Sequence, residues 1–596
     1  MMLNQKGKQP PIQLPKLGVR VIVDGRCNGV REKIEEPTFA LARLAKELIE
    51  STLRHASGEA IECVISSTAI GGVREAAIVS EQFRREGVGA VLSVSRAFAY
   101  AAEIMEYDNR IPQAIWGFNG SERPGAVYLA AATAAAEQKG IPIFKIYGRD
   151  VQDADDLSIP NDVAEKILLF ARCALAAAAM KGKSYLSIGG VCMGIGGSIV
   201  DPEFFRCYLG MSNETVDMSE ITRRLQLGIY DHEEYAAALE WVKQNCEEMD
   251  DPNPPEIQKT RAQKDTDWET SVKMALIFGD LMDGSEVLRN MGYPEEAQGH
   301  NVIAAGFQGQ RQWTDFMPNG DFAEAVLNSS FDWNGPRRPY ILATENDSLN
   351  AVTMLMGNLL TGTAQMFCDV RAFWSREAME RSTGLQVNDA AKDGFIYLTN
   401  SGAAALDGTF AAGNQAKPFW ELTQEDIDAC LRATKWGAAK LPTFRGGGFS
   451  SSFLSKGEVP LTMLRLNILK GLGPVLQIAE GKSISLDPAM EQAVIKRTDP
   501  TWPKTFFVPR LTGKGAFESV YALMNQWGAN HCSLCYGHVG AQVITLASML
   551  RIPVCAHNVP AGQLFRPAAW NMHGDEPIGA DFRACKTYGP LYAMYN

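Results

Sequence analysis

Short apolar runs alternate with helix-length amphipathic stretches through the first third of the chain. Residues 17–24, 61–66, 89–95, 113–118 and 141–147 are apolar and rich in β-branched side chains, as buried strands are. Between them, residues 38–54, 73–86 and 125–139 read as helices. Buried strands separated by helix-length segments predict a parallel sheet covered on both faces.

The pattern restarts with a helix over 163–180 and a strand over 185–188. A charged, proline-containing stretch over 247–267 predicts an exposed loop or irregular helix. A helix over 268–282, a strand over 301–307 and a strand over 340–344 follow, and then a helix over 351–360. Beyond about residue 360 helical signals thin out, and Gly, Ser and Thr become frequent. The expected fold is α/β: two parallel-sheet α/β domains, 1–175 and 176–359, followed by a β-rich C-terminal domain, 360–596. With 596 residues the chain exceeds one hydrophobic core.

A net charge of -12 with no basic stripe argues against a nucleic-acid partner and leaves a neutral substrate such as a sugar open. The 12 cysteines run from Cys27 to Cys585 without a compact framework, as in a protein with reduced thiols. The polar start, residues 1–16, is no signal peptide, and the longest apolar run, residues 167–180, is broken by Arg172 and too short to cross a bilayer. A cytoplasmic protein without a membrane partner is expected.

Two carboxylates stand at the ends of apolar runs. Glu345 follows residues 339–343, and Asp369 follows residues 364–368. A carboxylate at a strand end often binds helix N-terminal amides. In Thr344-Glu345-Asn346-Asp347-Ser348, however, Asp347 or Ser348 suits that task, which leaves Glu345 without a local structural use. Two carboxylates with an imidazole would suit Mn²⁺ or Mg²⁺ better than a thiolate-seeking ion.

Other motifs divide between chemistry and packing. The loop Gly189-Gly190-Val191-Cys192-Met193-Gly194-Ile195-Gly196-Gly197-Ser198 matches neither a P-loop nor a dinucleotide fingerprint, and reads as tight turns and close backbone packing. Arg445-Gly446-Gly447-Gly448 could bring backbone close to a ligand or to another segment. His531-Cys532-Ser533-Leu534-Cys535-Tyr536-Gly537-His538 has zinc-like letters, but strand alternation would put His531 and Cys532 on opposite faces. By itself, His531 is either a hydrogen-bonded core residue or a metal ligand. The segment from Gln308 to Asp315, with amides and Trp313, suits a polyol or a surface loop.

Several long blocks carry a resemblance. They are Ala114-Ile115-Trp116-Gly117-Phe118-Asn119-Gly120, Gly306-Phe307-Gln308-Gly309-Gln310, residues 343–350, Phe444-Arg445-Gly446-Gly447-Gly448 and Trp527-Gly528-Ala529-Asn530-His531. From about Leu17 to its end the chain resembles the L-fucose isomerase / D-arabinose isomerase family of ketol isomerases. The resemblance implies two α/β domains and a β-rich domain, assembled as a homohexamer. It implies Mn²⁺ held by Glu345, Asp369 and His531, with Glu345 and Asp369 also the catalytic proton acceptors. Arg20, Gln308, Ser401, Asn530 and Phe98 become expected sugar contacts. The sequence departs from the family pattern at residues 95–101, where Phe98 stands in place of a Trp thought to reach a neighbouring subunit's sugar, and Cys27 replaces an Arg. A metal-dependent lyase or epimerase sharing an enediolate, and a non-catalytic sugar binder, are the competing readings.

Overall fold

A computed structural model describes residues 14–122, 124–400, 403–415, 417–498, 502–570 and 577–593. Five parallel strands form the first sheet, in the order Cys63–Ile65, Lys16–Ile22, Val88–Ser95, Gln113–Gly117, Ile143–Tyr147. The helices Arg31–Thr52, Val73–Glu86, Gly125–Glu137 and Asn161–Met180 connect and cover these strands. The first helix begins about two turns earlier than expected and runs through Pro37. The chain loses one amide donor there rather than ending the helix.

The second sheet is also parallel, in the order Leu342–Ala343, Val302–Phe307, Ser184–Ile188, Ser212–Val216. Ser212–Val216 escaped the sequence reading because it is a half-exposed polar edge strand without apolar alternation. The helix Arg261–Asp283 starts inside the stretch expected to be a loop or irregular helix. Its capping box, in which the Thr260 hydroxyl and the Gln263 side chain each meet the other's backbone amide, fixes that start.

In the last third, Pro460–Leu469, His531–Tyr536, Met366–Trp374, Phe395–Thr399, Lys504–Pro509 and Gly473–Ser483 pair antiparallel in that order. The last returns to the first and closes a barrel. The helix Gly540–Leu550 accompanies this barrel and packs on Asn161–Met180. Being almost wholly buried, it lacks the polar stripe that would announce a helix.

One element positions the site. The helix Ser348–Thr361 is buried nearly all round, between the second sheet and the barrel strands Pro460–Leu469 and His531–Tyr536. Asp347 caps its start by accepting the Asn350 amide at 3.0 Å. Gly362, at φ +68°, ends it in the left-handed conformation that needs no Cβ.

Candidate active site

Asp369 and His531 meet because of strand register. They are paired residues of the antiparallel strands Met366–Trp374 and His531–Tyr536, so their side chains leave on one face. Cys368 and Cys532, the next pair along, turn the other way into the barrel core. Cys535 lies in a different apolar cluster, and His538 bonds the Gly481 carbonyl, so the zinc-like letters form no common centre.

Glu345 arrives from the second domain on unusual backbone. It sits at φ +59°, ψ +22°, and Asn346 follows at φ +48°. Successive left-handed non-glycine residues are strained and persist only where surroundings impose them. Those constraints are explicit. The Tyr185 hydroxyl donates to Asn346 Oδ1 at 2.8 Å, and Asn346 Nδ2 donates to the Gly190 carbonyl at 2.9 Å. The Ser198 hydroxyl donates to the Glu345 carbonyl at 2.8 Å, and the Thr344 hydroxyl to Glu324 at 2.7 Å.

The result is a convergence of three donors. His531 Nε2 lies 3.3 Å from Glu345 Oε2 and 3.3 Å from Asp369 Oδ1. All three side chains are largely buried, and Asn530 Nδ2 stands 2.9 Å from the same imidazole nitrogen. On the outer side, Arg371 donates to Asp369 Oδ2 at 3.1 Å and lies 5.1 Å from the Trp502 ring centre. On the inner side, His531 Nδ1 is 2.6 Å from Asp347 Oδ2, and Arg465 Nη1 donates to that oxygen at 2.7 Å. Asp347 and Arg465 were not anticipated as site residues. The only sequence signal was Asp347's position as a helix cap.

The charges follow from this arrangement. Burial opposes ionisation of Asp347, but Arg465 and His531 outweigh it and hold its carboxyl well below the usual range. Burial likewise opposes the His531 imidazolium, but Asp347, Asp369 and Glu345 raise its pKa well above the ordinary value. Behind Glu345, burial pushes Asp321 up to about 7 and Glu324 well above the ordinary value. The negative charge of Glu345 adds to both shifts. Cys192 is pushed up to about 12, chiefly by burial, so a neutral thiol rather than a thiolate borders the site.

Two carboxylate oxygens and one imidazole nitrogen are a donor set for a hard divalent cation. Ligands about 2.1 Å from an octahedral ion lie about 3 Å from their neighbours. The observed separations are close to that spacing, and Asp347 supplies the carboxylate partner that metal-binding histidines have. The donors here contact one another. As they are placed, no group of three or more His, Cys, Asp and Glu side chains among the described residues is arranged to hold a metal ion.

The glycine-rich loops prove to be packing devices. A Cβ on Gly197 would fall 1.9 Å from Asp347 Oδ1, and one on Gly446 would fall 1.9 Å from the Met317 carbonyl oxygen. Gln308 fastens the first loop, accepting from the Gly190 amide at 2.9 Å. Asn530 adjoins His531. Arg20 does not join the cluster: it is 1% exposed in the first sheet and donates to the Ile104 carbonyl. Phe98 is 39% exposed on the first domain beside Tyr100. Ser401 lies outside the described residues.

Comparison with known proteins gives this architecture a family. Three family models match in order: the first N-terminal domain of L-fucose isomerase over residues 14–182, the second over 183–362 and the C-terminal domain over 398–558. The chain is 58% identical over 586 residues to an L-fucose isomerase of Phocaeicola vulgatus, covering 97% of this chain and 99% of the relative. It is 55% identical over 584 residues to one of Vibrio vulnificus, covering 97% and 99%. It is 56% identical over 586 residues to one of Escherichia coli strain K12, covering 98% and 99%. The protein is thus a ketol isomerase, an intramolecular oxidoreductase. The chain belongs to the L-fucose isomerase family.

Proposed function

We propose that this enzyme interconverts L-fucose and L-fuculose, and D-arabinose and D-ribulose, through a cis-enediol, with Mn²⁺ as its cofactor. The observation that carries the reading is the convergence of Glu345, Asp369 and His531 Nε2, with both carboxylates 3.3 Å from the imidazole. The names of the full-length relatives support fucose as substrate.

Glu345, Asp369 and His531 would hold the metal. When bound, the ion supplies Lewis acidity that polarises the sugar carbonyl and stabilises negative charge on the neighbouring oxygens. The two carboxylates provide the proton transfers: one takes the C2 proton and returns it at C1, while the other moves the hydroxyl proton. The cluster's burial keeps bulk water from competing for these protons. Arg371 holds the outer oxygen of Asp369, so its inner oxygen faces His531. L-Fucose and D-arabinose match at C2 to C4 and differ by a methyl at C5. One methyl in a pocket is worth about 1–3 kcal/mol, which allows turnover of both.

The same reading places the enzyme in the cytoplasm as a homohexamer acting on a small sugar, without nucleic-acid or membrane partners. The net charge of -12 supports it, and no helix of the described residues is long and apolar enough to cross a membrane.

The test is ketose formation from both sugars after chelator stripping and again after Mn²⁺ is restored, with Glu345→Gln alongside. Activity should vanish, return with Mn²⁺, and fall in the variant by at least about a hundredfold. A stripped enzyme that keeps full activity would rule out the metal. A Glu345→Gln enzyme with normal turnover would remove Glu345 from the chemistry.

A further inference from the structure

We propose that Asp347 is the positioning residue of the metal centre: its carboxylate, fixed by Arg465, the Asn350 amide and the clearance at Gly197, sets the ring orientation and tautomer of His531, and thereby the affinity for the ion. This inference rests on the metal reading above.

The geometry gives Asp347 few alternatives. Its side chain is fully buried. Oδ1 accepts the Asn350 amide at 3.0 Å. Oδ2 takes Arg465 Nη1 at 2.7 Å and faces His531 Nδ1 at 2.6 Å. Oδ2 already accepts from Arg465, so it meets Nδ1 as an acceptor too, with Nδ1–H the donor. That leaves Nε2 as the nitrogen that faces Glu345 and Asp369 and that would meet an ion held between them. Arg465 is itself 2% exposed and is braced by donating from Nε to Asn467 Oδ1 at 3.1 Å.

The same carboxylate ties the domains together. Asp347 opens the helix that follows the second sheet, whereas His531 and Arg465 come from adjacent barrel strands. One residue thus caps the helix beside Glu345 and aims the histidine opposite it. Gly197 makes this possible, since any larger residue would occupy the space of Asp347 Oδ1.

Two substitutions separate positioning from charge. Asp347→Asn removes the charge and offers an amide where two donors point. Gly197→Ala displaces the carboxylate while leaving every charge in place. Mn²⁺ binding to stripped, folded enzyme would be measured by calorimetry, together with the electron paramagnetic resonance spectrum of the bound ion. Asp347→Asn should lower Mn²⁺ affinity about 10- to 100-fold, the range for loss of such a partner. Gly197→Ala should lower it in the same direction with an altered spectrum, and sugar KM at saturating Mn²⁺ should stay within about twofold for both. If Asp347→Asn does not fold, Gly197→Ala carries the test. Wild-type affinity and spectrum in the folded variants would overturn the inference and leave the metal reading standing. A wild-type protein that takes up no Mn²⁺ would overturn both.

Discussion

Gly197→Ala is the perturbation whose consequence can be worked most directly from the structure. The added Cβ would lie 1.9 Å from Asp347 Oδ1, 2.4 Å from its Cγ and 2.7 Å from its Oδ2. Ordinary contact requires about 3.5 Å, so the carboxylate or the loop must retreat by more than about 1 Å. The loop is tied by the Ser348 hydroxyl, which donates to the Gly197 carbonyl at 2.8 Å, and by Ser198 on Glu345. The carboxylate is tied to Asn350, Arg465 and His531. Overpacking costs about 1–3 kcal/mol, and a lost hydrogen bond to a charged group costs about 1.5–3 kcal/mol. A misplacement of about 1 Å passed on to the reacting groups lowers turnover about a hundredfold. The assay is kcat for L-fucose at saturating Mn²⁺, with thermal unfolding of the stripped protein. Gly196→Ala is the control: nothing lies within 4 Å of its would-be Cβ. It should be neutral or slightly stabilising, because alanine restricts the unfolded chain. A Gly197→Ala enzyme with kcat within about twofold of wild type would refute the argument that Asp347 has nowhere to go.

Two further outcomes are expected. Asp321, driven by burial and by Glu345 from 3.8 to about 7, keeps its proton in the folded state where the unfolded chain has lost it. The folded state therefore binds more protons between about pH 4 and pH 7, and stability falls as pH rises through that window, by at most about 4 kcal/mol. Asp321→Asn should lose this pH-dependent term, and parallel melting curves for wild type and variant from about pH 5 to pH 8 would contradict it. Phe98→Ala should change protomer stability by less than about 0.5 kcal/mol, because the ring is on the surface. It should still lower kcat/KM about tenfold if the ring faces a sugar bound by a neighbouring subunit. An unchanged kcat/KM would remove Phe98 from the sugar site.

Much of the architecture is written in local chemistry. Runs such as Val88–Ser95 and Gln113–Gly117 are apolar over a strand's length, and Val73–Glu86 shows a helical stripe, so α/β alternation could be read without tertiary information. The polar edge strand Ser212–Val216 and the all-buried helix Gly540–Leu550 could not, since periodicity marks only elements with one wet face and one dry face. Glu345 could be singled out because it follows an apolar run and its neighbours supply the helix cap. Its left-handed backbone could not, because tyrosine, serine and carbonyl groups from distant segments impose it.

The partnership around His531 belongs to the tertiary structure. Asp369 faces His531 through a strand register set by side chains along two whole strands. Asp347 reaches it across 184 residues of sequence. A histidine among barrel residues has no local reason to be a ligand. Folding brings Asp347, Asp369 and Glu345 around it and excludes the water that would otherwise screen them. The sequence by itself determines which segments become strands and helices and which acidic residues stand at their ends. Only the closed barrel, docked on the second sheet, decides which of those acids share one imidazole, because burial and register are properties of the assembled chain.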